Sequence, residues 1–162
     1  MKKHAMIIAI IIILLLVIFG VLYLWQVAFS KTPNPPLKTG EISIGSNVFS
    51  VELATTTMEQ ARGLSFRTSL AEGTGMLFTF SSGVQNFWMK DMNFPIDMIW
   101  ISGNKVAGFV KDAEPEPGVP LWKLTIYTSP NNVDKVLEVN AGTVAHDDIQ
   151  VGNVVTIGPE TE

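Results

Sequence analysis

What most constrains this chain is how short its β-type runs are. From residue 41 onward, stretches of β-branched and aromatic residues recur, each closed within a few positions by Gly, Pro, Asn or Ser: EISI, NVFSVEL, MLFTF, NFWMK, IDMIWI, KVAGFV, WKLTIYT, KVLEV, TVA and NVVTI. The crossover helices that a parallel α/β sheet needs are missing between them, which disfavours that class. The pattern predicts a mainly β domain, a small antiparallel β-sandwich or barrel-like unit of jelly-roll type. Ser102-Gly103-Asn104-Lys105 reads as a hairpin turn. One interval changes period: Thr56-x-x-Glu59 forms a capping box, Met58, Ala61 and Leu64 follow near helical spacing, and Gly63 is a stop, so a single short helix is expected over Thr57 to Arg62.

The N-terminus has a different composition. Ala5 to Trp25 reads AMIIAIIIILLLVIFGVLYLW, without a charge, and ends in the interfacial aromatics Tyr23 and Trp25. About 20 apolar residues match a hydrocarbon core of about 30 Å, so this run is expected to be a single transmembrane helix over 5–25, acting as a signal anchor. A cleaved signal peptide is the rival, since Ala28-Phe29-Ser30 is a small-x-small site, but such apolar regions typically span only about 7–15 residues. Lys2 and Lys3 would keep residues 1–4 cytoplasmic, which puts the protein in the cell membrane with its C-terminal domain extracytoplasmic. Residues 26–40, with three prolines in KTPNPPLKTG, read as a linker, residues 41–157 as the β domain, and residues 158–162 as a polar tail.

Charge and cysteine content narrow the chemistry. Four lysines and no acidic residue precede Glu41, so of 11 basic and 15 acidic residues seven and fifteen lie from Glu41 onward, a formal −8. Such a surface repels phosphate backbones, and nucleic acid is not an expected partner. The chain has no cysteine, which excludes disulfides, thiolate metal sites and cysteine nucleophiles. His146 stands beside Asp147 and Asp148, but consecutive side chains diverge and no second histidine joins them, so a surface turn is expected rather than a metal site. Neither metal nor cofactor is expected.

Several segments, in order, resemble the domain of unknown function 192 family: ARGLSFR, GMLFTF, FWMKDMNFPIDMIWI, AEP, VLEVNAG and IQVGNVV. The resemblance covers nearly all of the chain after the apolar run, and its FWMK-x-x-x-x-P-x-D centre is specific. It implies a compact, mostly β domain of sandwich or jelly-roll type from bacteria and archaea, often behind an export or anchor segment, and it implies no activity. Asp91 and Met92 stand where that family commonly has Asn-Thr, and Asn153 where it usually has Asp.

A few polar residues stand out against this background. Asp97 lies in IDMIWI, where both strand faces are apolar, so its carboxylate has to be paired, hydrogen-bonded or protonated. It reads either as a buried structural carboxylate, with Lys90, Arg62 and Arg67 as candidate cations, or as an acid–base group. The two arginines frame RGLSFR and suit anionic ligands; structurally, Arg62 complements the helix C-terminus and Arg67 bridges to Asp97 or Glu138. Trp88 is read as core or pocket lining, and Lys90 on its face either snorkels along the ring or approaches Asp97. The ligand-binding candidates are thus Arg62, Arg67, Trp88, Lys90, Asp97 and Glu138, with Asp97 the catalytic candidate.

No complete catalytic constellation is present, so the reading leans away from an enzyme. The expected function is a membrane-tethered binding or accessory module of the cell envelope, with a protein or small-molecule partner. The alternatives are an enzyme acting on a small anionic or carbohydrate substrate through Asp97, and a structural module presenting an apolar patch to a protein.

Overall fold

The computed structural model describes residues 2–29 and 32–160, and in the first of these the side chains at positions 6, 7 and 10–23. The chain forms two compact units that divide between Thr32 and Pro33. The first holds a helix, α1 (Lys2–Phe29), whose described side chains are apolar and largely exposed. The expected transmembrane helix is corrected at this point: among the described residues, no helix is long and apolar enough to cross a membrane. Of the expected segments, Met1, the cleavage-site Ser30, Lys31, Thr161 and Glu162 lie outside the described residues.

The second unit is mainly β. Its strands are β1 (Thr39–Ile44), β2 (Asn47–Ala54), β3 (Thr74–Gly83), β4 (Asn86–Phe87), β5 (Ile96–Ser102), β6 (Lys105–Ala113), β7 (Tyr127–Thr128), β8 (Val133–Asn140) and β9 (Val155–Ile157), with short helices α2 (Thr57–Arg62) and α3 (Thr143–His146). Seven strands form one sheet in the order β6-β5-β8-β3-β2-β1-β9, while β4 and β7 pair separately. The sheet curls into a half-barrel because its two edges meet at one end. There the β5–β6 turn and the start of β6 bond the segment entering β9, through Val106 N to Asn153 O (3.0 Å), Gly152 N to Val106 O (2.8 Å) and Val155 N to Asn104 O (2.9 Å).

The expectation of a wholly antiparallel sheet needs one correction, since β2 and β3 pair in parallel. A parallel pair requires a crossover, and the segment carrying α2 supplies it. The capping box forms as the sequence predicts: Thr56 Oγ1 accepts from Glu59 N at 3.3 Å, and the Glu59 carboxylate accepts from Thr56 N at 2.8 Å. Thr56→Ala is expected to cost the domain about 1 kcal/mol, to be checked by urea denaturation.

Three expected strands shrink or vanish. NFWMK keeps only Asn86–Phe87 as strand. In WKLTIYT the first residues form a 3-10 turn, Leu121–Lys123, directly after Pro120, whose fixed φ suits a helical start. TVA becomes α3.

Residues on the two faces of the sheet belong to two cores. The inner face buries Ile42, Phe49, Leu77, Ile99, Ile101 and Leu137, with Val144 and Ile149 from the α3 region packed among them. The outer face of β3, β8 and β5 buries Met76, Phe78, Val136, Met98 and Trp100, covered by Leu64 from the end of α2 and by Met89 and Met92 from the connection between β4 and β5. These central strands are therefore covered on both sides, which accounts for the unbroken burial of Ile96 to Ile101. The proline-rich segment also packs on this unit: Leu37 adjoins the outer core, and the Asn34 amide donates to Glu59 O and Gly63 O at the end of α2, each at 3.0 Å.

Candidate functional site

A cleft of about 250 Å³ opens over the outer core, walled by α2 and the loop after it on one side and by the ends of β3 and the β4 region on the other. Four aromatic side chains line it: Phe78, Phe80, Phe87 and Trp88. The Phe78 and Phe80 rings are nearly parallel at 6.3 Å between centroids, and Phe87 stands edge-on to both at 5.0 and 6.0 Å. Phe87 is also edge-on to the buried Trp100, which fixes it from behind. Polar groups at the lining come from Gln60, Arg62, Ser65, Gln85 and Asn86, and Glu138 adds the lone carboxyl.

Glu138 sits on β8 opposite Met76 of β3 and Met98 of β5. Its side chain therefore rises from the outer face between two buried methionines, and it is 5 % exposed. No hydrogen bond reaches its carboxyl from any described residue. Burial pushes its pKa up to about 8, and the nearby Arg67 guanidinium only partly opposes that. At neutral pH this is a protonated acid at the base of an aromatic cleft. The strands are close-packed here, since a Cβ on Gly75 would lie 2.6 Å from the Glu138 carbonyl oxygen.

Arg67 is committed elsewhere. It reaches Glu52 of β2 through a bidentate pair, Nη1 to Oε1 at 2.5 Å and Nη2 to Oε2 at 2.7 Å. Glu52 pairs in register with Met76 and Met76 with Glu138, so Arg67 lies beside a cross-strand row with a carboxyl on either side of a methionine. Its third nitrogen, Nε, is buried without a hydrogen bond. The Glu52 hydrogen bonds hold the guanidinium pKa above its ordinary value.

Asp97 faces the other way. On β5 it alternates with Ile99 and Ile101 onto the inner face, is fully buried and makes no ion pair among the described residues. Oδ1 accepts from the backbone N–H of Asp112 at 2.8 Å, at an irregularity in the β5–β6 register where Asp112 has a positive φ of 51°. Oδ2 accepts from Val144 N at 2.8 Å, in the first turn of α3, whose Gly142 cap offers no side-chain acceptor. One carboxylate thus ties a β-bulge to a helix start.

Of the six residues singled out from sequence, the cleft brings together Arg62, Trp88 and Glu138. Arg67 stands behind Glu138, and Lys90 pairs with its neighbour Asp91 at the surface. The convergence of Asp97 with the cations does not occur, because strand alternation puts it on the opposite face from Glu138. Of the aromatic wall, Trp88 was legible as core or pocket lining and Phe78 and Phe80 only as strand residues, while Gln60, Gln85 and Asn86 carried no signal. Glu138 did carry one, as a single charge inside the apolar run VLEV. Ser65 spends its hydroxyl on Lys90 O at 2.9 Å, and His146 pairs with Asp147 at the surface. Among the described residues, no three His, Cys, Asp or Glu side chains cluster to hold a metal.

Comparison with known proteins places this geometry. The family model DUF192, described as an uncharacterized ACR, matches residues 40–157. No curated protein matches the chain. Among solved structures it resembles a protein of unknown function from Novosphingobium aromaticivorans DSM 12444, with a TM-score of 0.68 and 29 % identity, over 77 % of this chain and 91 % of that one. It likewise resembles a protein from Sinorhizobium meliloti 1021 described as a "putative transcription regulator", with a TM-score of 0.68 and 27 % identity, over 78 % of this chain and 98 % of that one.

Proposed function

The chain belongs to the DUF192 family, and on that premise we propose that its β domain is a binding module for a small organic ligand, held in the cleft between α2 and the β3–β4 region. The observation that carries this reading is Glu138: a buried carboxyl with no hydrogen bond from a described residue, at the base of an aromatic-walled opening. The Glu138 carboxyl is poorly solvated and meets the outside only through the cleft, so a ligand that hydrogen-bonds it there supplies the partner that the protein does not. The aromatic wall supplies apolar contact, and Gln60, Gln85 and Asn86 supply orienting hydrogen bonds at the rim. Asp97 is excluded from this role because both its oxygens serve backbone N–H groups. Regulation of transcription is not carried over from the Sinorhizobium protein, since the formal −8 beyond residue 40 opposes contact with nucleic acid.

A protein-observed NMR screen of small aromatic alcohols, amines and acids tests the reading. Bound fragments are expected to shift the Trp88 indole and Met92 methyl signals, and Phe80→Ala, which removes an outer part of the wall, is expected to weaken them at least about tenfold. Hits that leave those signals unmoved, or bind Phe80→Ala equally well, would place the site elsewhere. An acid–base enzyme remains the second reading, now favoured by the raised pKa of Glu138 rather than by Asp97. Turnover of a bound fragment that disappears in Glu138→Gln would select it.

A further inference from the structure

We infer that the ligand of this cleft carries an organic ammonium group that pairs with Glu138 beneath the aromatic wall. The inference rests on the cleft being a binding site and concerns which chemical class it takes.

Three observations converge. The base of the cleft is an acid, 5 % exposed and without a hydrogen bond from any described residue, so a donor entering the cleft meets an open acceptor. The walls are π surfaces set at right angles, Phe87 against Phe78 at 83° and against Phe80 at 88°, with Trp88 also in the lining. Walls at right angles offer a cation both ring faces and ring edges, and the faces attract it while the carboxylate neutralises it. The strong excess of acidic groups beyond residue 40 also raises the local concentration of cations over anions.

The other charges around Glu138 are compatible with this. Arg67, from the loop after α2, is turned to Glu52 of β2 and bound there bidentately. Lys90, from the connection after β4, is paired with Asp91. On β3 and β5 the partners of Glu138 are the neutral Met76 and Met98. Arg62 lines the cleft from the end of α2 and is the charge that an anionic ligand would use instead. The cleft volume of about 250 Å³ admits an ammonium with a ring or a short chain attached.

Pairing has a stoichiometric consequence. The empty cleft holds Glu138 as the neutral acid at pH 7, so an ammonium that pairs with it drives out one proton: carboxylic acid plus cation become an ion pair plus a hydrogen ion released to solvent. Cation affinity is therefore expected to rise with pH until Glu138 is ionised without the ligand.

The probes are benzyltrimethylammonium, whose charge is independent of pH, the neutral 2-phenylethanol, and the anionic 3-phenylpropionate, titrated calorimetrically into the full chain. The expected result is that benzyltrimethylammonium binds about fiftyfold or more tighter at about pH 9 than at about pH 6, and releases a proton on binding at neutral pH. Glu138→Gln is expected to abolish that pH dependence and weaken the cation at least about tenfold, while its urea denaturation midpoint near pH 5 stays at the wild-type value, showing that the fold is intact. Preferred binding of 3-phenylpropionate, equal binding of the alcohol and the cation, or a cation affinity flat with pH would overturn the inference and leave the binding module standing. Failure of all three probes would overturn both.

Discussion

Asp97→Ala is expected to destabilise the β domain by several kcal/mol, on the order of two lost charge-assisted hydrogen bonds. The substitution removes the carboxylate that accepts from Asp112 N, part-buried at the β6 bulge, and from Val144 N, buried at the start of α3, and it leaves the Val144 donor without that partner in the core. An unsatisfied buried donor costs about 1–3 kcal/mol, and bonds to a charged acceptor lie at the upper end. With one donor buried and one part-buried the loss is about 2–4 kcal/mol, a sizeable share of the 5–15 kcal/mol that holds typical domains folded. Asp97→Asn, which keeps one carbonyl oxygen, is expected to fall between wild type and alanine in urea denaturation. A midpoint for Asp97→Ala that coincides with wild type would remove the structural role assigned to this carboxylate.

Glu138→Gln is expected to act in the opposite direction and to do so only at higher pH. The folded acid holds its proton up to about pH 8, whereas its ordinary value is 4.5, so between these limits the folded state carries a proton that the unfolded state has lost. Stability then falls as pH rises through that window, by about 1.4 kcal/mol per unit, because each unit favours the unfolded, ionised form. Accumulated across the window this is on the order of 5 kcal/mol. Glutamine cannot ionise, so the variant is expected to match wild type near pH 5 and to exceed it by several kcal/mol at about pH 8 to 9. Guanidinium denaturation midpoints measured across that range check it, and a decline of equal slope in both proteins would place the pH dependence on another group. Glu52→Gln is the companion variant: it frees Arg67 to turn its charge on Glu138, lowers the pKa there, and flattens the slope.

Both predictions concern residues that are visible in the sequence as charges within apolar runs. Asp97 in IDMIWI and Glu138 in VLEV share that signal and differ by one strand face. The Asp97 side chain points into the half-barrel with Ile99, whereas Glu138 points outward with Met76 and Met98. Period-2 alternation assigns each residue a side of its own strand but does not say which side becomes the interior, nor which neighbouring strand brings a partner. Arg67 makes the same point: a bridge to Asp97 or Glu138 was the natural reading from chain order, yet the parallel β2–β3 pairing brings Glu52 beside it.

Local chemistry by itself determined the capping box at Thr56 and Glu59, the α2 helix, the hairpin turn at Gly103-Asn104 and the mainly β class, because each depends on residues within a few positions of one another. The recurring strands begin near residue 40, where the family match also begins. Only the tertiary structure decided that TVA coils into α3 around an N–H bonded to Asp97, and that NFWMK becomes the wall of a cleft. Those outcomes turn on contacts between positions 30 or more residues apart, such as Asp97 with Val144 at 2.8 Å. A buried donor or carboxyl is satisfied by whatever the fold brings to it, and its own neighbours in the chain do not specify that partner.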